Sequence, residues 1–218
     1  MSPSPLADAL ALASNASRPG AGRAVLALAG APGAGKSTLA RRLVAEVDRA
    51  TAPGTAGYLP LDGFHLSNAQ LERLGRLERK GAPDTFDAHG YVALVRRLLE
   101  ETGHPVYVPD YDRRLHEPVA ARHVFAPHTR LVVTEGNYLA GDDDPWPRAR
   151  ALFTELWYVE VPDTVREERL YGRQREGGLA EGAARAWVEG SDRANGELVK
   201  RSRGNCTRVV RGDLPISP

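Results

Sequence analysis

The stretch that most constrains this chain is 30-GAPGAGKST-38. It matches the spacing G-x-x-x-x-G-K-[ST], in which N–H groups of a glycine-rich loop converge on phosphate. Its flanks supply the context the motif requires. The run Ala24–Ala29 before it is continuously apolar, as expected of a strand covered on both faces. Residues 36–49 after it read as a helix, whose N-terminus adds the positive end of its dipole. Strand, glycine turn and helix together imply a site for a nucleoside triphosphate. The expected cradle is the backbone of Gly30, Ala31, Pro32, Gly33, Ala34 and Gly35. Lys36 would reach the β- and γ-phosphates, Ser37 would ligate Mg²⁺, and Thr38 would hold an α-phosphate oxygen.

The remainder alternates short apolar runs with helical patterns. Strands are expected at 24–29, 57–61, 105–108, 131–134, 156–161 and 208–210. Helices are expected at 36–49, 89–101 and 162–176, with 179–201 as one helix or two because Gly190 and Gly196 weaken it. This order implies an α/β fold, a doubly wound, mainly parallel sheet with helices on both faces. The 218 residues suit a single domain, preceded by an N-terminal helix and tail over 1–22.

Composition narrows the function. A net charge of +1 gives no case for nucleic acid or a membrane surface. A single cysteine, Cys206, excludes an intrachain disulfide and fits a reducing, cytoplasmic setting. The N-terminal segment lacks a basic start and carries Asp8, so it reads as an amphipathic helix and not a signal peptide. No apolar run approaches membrane-spanning length. Assembly is unspecified, and a homodimer stays open.

A reaction at the triphosphate needs further groups. In 131-LVVTEGNYL-139, Glu135 ends an apolar run and is placed to serve the metal, directly or through water. In 57-GYLPLDGFHLSN-68, Asp62 also ends a strand, where parallel sheets put their ligands, and is the best base for an attacking hydroxyl. Asp62 could instead cap a turn with Gly63. His65 is a second-rank contact for the acceptor. The segment 105-PVYVPDYDRRLHEP-118 concentrates Asp110, Tyr111, Asp112, Arg113, Arg114 and His116, which can orient a hydroxylated small molecule or simply face solvent. In 162-PDTVREERLYGRQREGG-178, Arg166, Arg169 and Arg173 share a helix face, and Gly-Gly follows. That pattern suits a mobile lid over 163–182, or a surface helix salt-bridged to its own glutamates.

Taken together these segments resemble the P-loop small-molecule kinases that include uridine kinase, phosphoribulokinase and type I pantothenate kinase. The nearest are short bacterial nucleoside/nucleotide kinase-like or fructose-transport-associated proteins. The resemblance spans about residues 23–211. It rests on the phosphate loop, LDGFHLSN, 79-RKGAPDTFD-87, VPDYDR and VVTEGNYL. It implies that Asp62 is the catalytic base and that Glu135 serves metal and substrate. It also implies that Arg166, Arg169 and Arg173 belong to the lid, and that Tyr111, Asp112 and Arg113 line the acceptor pocket. Uridine kinases carry Asp-His before the Pro-Asp-x-Phe-Asp segment, whereas this chain has Gly81 and Ala82, nearer the pantothenate-kinase form.

The resulting expectation is an ATP-dependent, Mg²⁺-requiring kinase acting on a hydroxyl of a sugar-, pantothenate- or nucleoside-like metabolite. A uridine-type nucleoside kinase is the alternative acceptor reading. A nucleotide-dependent regulatory switch is the rival from another class, although no guanine-reading N-K-x-D motif is present.

Overall fold

The computed structural model describes residues 4–212. Its central sheet has five strands in the order β2-β5-β1-β6-β7, and every neighbouring pair is parallel. These strands are β1 (Ala24–Ala29), β2 (Ala56–Pro60), β5 (Leu131–Gly136), β6 (Glu155–Glu160) and β7 (Arg208–Arg211). β1, β2 and β5 are buried at every position, as strands covered on both faces are.

Strand alternation splits the core in two. Leu26 and Leu28 face α1 (Pro5–Ala16) and α2 (Lys36–Ala50), packing with Leu6, Ala13, Leu39 and Leu43. Val25, Ala27 and Ala29 face α4 (Ala88–Glu100), packing with Tyr91, Val95 and Leu98. Buried Arg23 closes this second layer: its guanidinium donates to the carbonyls of Leu98 (2.6 Å), Ala126 (2.8 Å) and Thr129 (3.1 Å). Cation and carbonyls are thus compensated out of water, where each alone would be costly.

One expected strand leaves the sheet. The run at 105–108 extends into β3 (Val106–Asp112) and pairs antiparallel with β4 (Glu117–Phe125) as a separate two-stranded hairpin. The physical reason lies in its faces. A strand of the parallel sheet is covered on both sides, whereas Tyr107 and Val124, opposite each other across the ladder, are 60% and 53% exposed. Their neighbours Val106, Val108 and Phe125 turn inward to the core. β4 itself was hidden in the sequence because EPVAARHVF mixes proline and charge among its apolar residues without a regular alternation.

The helix α3 (Asn68–Arg73), capped by the Ser67 hydroxyl, and the short α5 (Trp146–Arg150) add helical turns that the sequence reading did not assign. α6 (Asp163–Glu176) leads to α7 (Glu181–Trp187), a π-helical turn (Val188–Asp192) and α8 (Arg193–Arg201). The glycine-weakened stretch is therefore one run whose hydrogen-bond ladder widens around Gly190. Among the described residues no helix is long and apolar enough to cross a membrane.

Candidate active site

The phosphate loop lies between the end of β1 and the start of α2. Gly33 shows why the motif needs glycine: its φ is +80°, and a Cβ there would lie 2.8 Å from the Arg166 carbonyl oxygen. Helix α6 therefore packs directly beneath the loop. Arg166 completes that support. It is 3% exposed, its Nη1 donates to the Pro32 carbonyl at 2.7 Å, and its Nε donates to Asp163 Oδ1 at 3.0 Å. The structure thus places Arg166 behind the loop and away from the acceptor side. Arg169 also reaches the loop but stays exposed, donating from Nη1 to the Gly33 carbonyl at 3.3 Å. Arg173 lies one turn further along the same helix, and among the described residues its side chain has no hydrogen bond. Crowding by protein lowers its pKa, while Asp192 and Asp62 oppose that shift.

Lys36 is folded back over the loop. Its Nζ donates to Asn137 Oδ1 at 2.7 Å and to the Ala31 carbonyl at 3.1 Å. Burial pushes its pKa down to about 8, against the pull of Glu135 and Asp62. Its ammonium is held by neutral oxygens, so arriving phosphate would compete only with dipoles.

Glu135 closes β5 directly beside this lysine. It is 4% exposed, and its Oε1 accepts from both Ser37 Oγ (3.0 Å) and Tyr58 Oη (2.7 Å). Burial first, and then the charge of Asp62, raise its pKa, while Lys36 and the two hydroxyls lower it. An anion so desolvated, beside a hydroxyl and facing a phosphate loop, is a hard-oxygen set suited to Mg²⁺. Among the described residues no cluster of three or more His, Cys, Asp or Glu forms a metal cage, so the ion would depend on phosphate and water for its remaining ligands.

Asp62 stands on the 3-10 turn that follows β2 (Leu61–Phe64). The next residue fixes what lies across from it: a Cβ on Gly63 would approach the Pro109 carbonyl to 2.7 Å. Only glycine lets the turn and the hairpin meet this closely, and so the hairpin delivers its polar tip to Asp62. Arg113 Nη2 lies 3.7 Å from Asp62 Oδ2. Ser37, Tyr58, Asp62, Asp110, Tyr111 and Glu135 surround a cavity of about 50 Å³ at this junction. A larger cleft of about 520 Å³ opens behind the loop near Ala31, Asp163, Arg166 and Lys200. The smaller one joins Ser37 of the loop to both carboxylates, Asp62 and Glu135.

The other expected contacts are distributed unevenly. Tyr111 lines the cavity, with its phenol pushed up to about 12 by burial and by Asp62. The His65 ring packs between Phe86 (4.0 Å) and Tyr111 (4.9 Å), and its Nδ1 lies 2.8 Å from the Asp62 carbonyl. Burial lowers its pKa, so it is placed as a neutral brace for the Asp62 turn. Asp112 accepts from the Arg114 and Leu115 amides (2.9 and 3.2 Å) and from Arg122 (3.1 Å), which ties it into the hairpin bend. The structure adds residues that were not singled out. Asn137 holds Lys36 and Tyr58 holds Glu135, while Asp110, already expected in the acceptor segment, pairs with His123 at 2.9 Å and with Arg41 at 3.8 Å. Asn137 and Tyr58 were visible inside VVTEGNYL and GYLPLD, but only the fold pairs them with their partners.

An ATP-dependent kinase-like protein of Aspergillus versicolor, notR', is 31% identical over 163 residues, covering 72% of this chain and 90% of that protein. This chain belongs to the P-loop ATP-dependent kinase family. A Schizosaccharomyces pombe protein provisionally named a uridine kinase is 33% identical to the kinase over 175 residues, covering 78% of this chain and 74% of its own. A solved structure from Silicibacter sp. TM1040, provisionally described as a fructose transport system kinase, matches with a TM-score of 0.83 at 36% identity, covering 94% and 98% of the two chains. The kinase spans only 62% of Escherichia coli YggC and 50% of the Zygosaccharomyces rouxii ATP-dependent kinase YFH7, which extend beyond it. No protein-family model matches it.

Proposed function

We propose that this kinase transfers the γ-phosphoryl group of ATP to a hydroxyl of a small metabolite, with Asp62 as the base that accepts the hydroxyl proton. The observation that carries this reading is the shared cavity. Asp62 lies at the end of β2, across about 50 Å³ of space from Ser37 and Glu135. A hydroxyl held there faces the phosphate loop with a carboxylate behind it, which is the arrangement in-line attack requires. Lys36 and the loop amides stabilise charge on the transferring group. Arg169 and Arg173, on a helix expected to act as a lid, complete that shell. Ser37 and Glu135 would hold Mg²⁺, which supplies charge neutralisation between phosphate oxygens when bound.

The cavity admits little more than the reacting hydroxyl, so the rest of the acceptor would lie along Tyr111 and Arg113. Arg113 lies 3.7 Å from the Asp62 carboxylate, and an acceptor that engages the guanidinium would open that carboxylate. Sugar-, pantothenate- and nucleoside-like alcohols all fit this description. The stacked rings of Phe86, His65 and Tyr111 favour a nucleoside as the second reading, since flat bases stack on such surfaces.

Asp62→Asn tests the mechanism. ATP affinity should stay within about twofold while turnover on the acceptor falls by roughly 10²–10⁴, the usual worth of a general base. Near-parental turnover would remove Asp62 from that role. ADP release across a panel of nucleosides, sugars and pantothenate identifies the acceptor class.

A further inference from the structure

Two arginines, Arg41 and Arg113, line the small cavity beside Asp62. Arg41 comes from α2, one helical turn beyond Ser37, and Arg113 from the bend between β3 and β4. Among the described residues neither guanidinium donates a hydrogen bond. Each has a long ion pair instead: Arg41 Nη2 lies 3.8 Å from Asp110 Oδ2, and Arg113 Nη2 lies 3.7 Å from Asp62 Oδ2. Both separations exceed hydrogen-bond reach, so the N–H donors are unspent.

The carboxylates of the cavity do not need these donors. Asp110 accepts from the Tyr111 amide at 2.7 Å and pairs with His123 at 2.9 Å. Glu135 accepts from Ser37 and Tyr58. Asp62, as a base, has to keep an oxygen open. The Arg41 guanidinium also lies over the Tyr58 ring, 5.0 Å from its centroid, and a guanidinium stacked by its face keeps its N–H edge available. Depth separates the charges. The arginine side chains are 61% and 59% exposed, whereas those of Asp110 and Asp62 are 15% and 36% exposed and Glu135 is buried. The cavity therefore runs from a cationic rim to a floor of carboxylates.

Resting on the phosphoryl-transfer reading, we propose that the acceptor is itself an anion: a hydroxylated metabolite carrying a carboxylate or a phosphate, which Arg41 and Arg113 hold at the rim while its hydroxyl reaches Asp62. A guanidinium fork matches either group through two parallel N–H bonds. The same contact draws Arg113 away from Asp62, so the correct acceptor frees its own base. Neutral sugars and nucleosides lack the group that does this. Among the acceptors left open above, hydroxy acids and sugar phosphates meet the requirement.

The test is ADP release by the full chain with two matched pairs, pantothenate against panthenol and ribose 5-phosphate against ribose. The first pair reads a carboxylate and the second a phosphate. In at least one pair the anionic member should have a kcat/KM about tenfold or more above its neutral partner. Arg41→Gln and Arg113→Gln should each cut that ratio by roughly tenfold, the usual worth of a charge-assisted hydrogen bond. The loss should appear in KM for the anion, because rim contacts are made before and during transfer alike. Calorimetry of the same four compounds on the Mg²⁺–ADP complex decides the matter without turnover: tighter binding of an anionic member, weakened by both substitutions, supports the proposal. Equal use or equal binding of the members of both pairs, or a preference that survives both substitutions, overturns it. Asp62→Asn separates this inference from the base assignment. It should abolish turnover and leave the preference in binding intact. Turnover that survives Asp62→Asn removes the base and not the anionic acceptor, whereas loss of the anion preference with Asp62-dependent turnover does the reverse.

Discussion

The two halves of the site are built differently. The donor half, from Gly30 to Thr38, is a continuous nine-residue stretch between one strand and one helix, and its conformation is dictated locally by glycine torsions and the helix start. The acceptor half is assembled from pieces far apart in sequence: the turn after β2, the end of β5, and a hairpin that touches Asp62 only because Gly63 packs on Pro109. A local motif tolerates change around it, whereas an assembled pocket depends on each contact that brings its parts together. The donor half should therefore fail through chemistry, and the acceptor half through geometry.

The largest expected effect lies in the donor half. Lys36→Ala should lower turnover by about 10³ or more by removing the cation from the transferring phosphate. Melting temperature should hold, because the lost ammonium was desolvated. A large drop in stability would show that the lysine's bonds to Asn137 and Ala31 hold the loop together, blurring the contrast. Next comes Gly63→Ala in the acceptor half. Its Cβ must displace the Pro109 backbone, costing about 1–3 kcal/mol of stability. It should raise the acceptor KM roughly tenfold with ATP affinity unchanged. An equal loss of ATP affinity would mean the two halves are mechanically one.

Tyr58→Phe sharpens the boundary, since Tyr58 reaches from the acceptor side to Glu135. Losing its hydroxyl should cost about 1 kcal/mol and shift the Mg²⁺ requirement of turnover by a fewfold, as loss of an outer-shell partner does. Titration of activity with Mg²⁺ reads this directly. The smallest effect is expected at the hairpin tip. Arg122→Ala breaks a half-exposed pair with Asp112 and should change stability by less than about 1 kcal/mol, measurable by chemical denaturation. A clear rise in acceptor KM would show that the bend itself shapes the pocket.

Much of this was legible in the chain. The strand Ala24–Ala29 and the start of α2 at Lys36 coincide with their sequence reading, because apolar continuity and a glycine-to-helix transition are local signals. Glu135 and Asp62 were readable as strand-end carboxylates. The hairpin was not, since β4 has no apolar pattern of its own and gains its order from β3 and the core beneath it. Nor could the sequence show that Arg166 is buried against the phosphate loop while Arg169 reaches it from an exposed position. Both are arginines on one helix face, and only the depth at which α6 packs separates them.

The sequence by itself determined that this chain binds a nucleotide phosphate and has strand-end carboxylates to act on it, because torsional freedom, dipole and charge within a few residues suffice for that. The tertiary structure alone decided which carboxylate faces which cation and which residues of the hairpin meet the turn that carries Asp62. Those are distances between residues far apart along the chain, and only packing brings them within reach of one another.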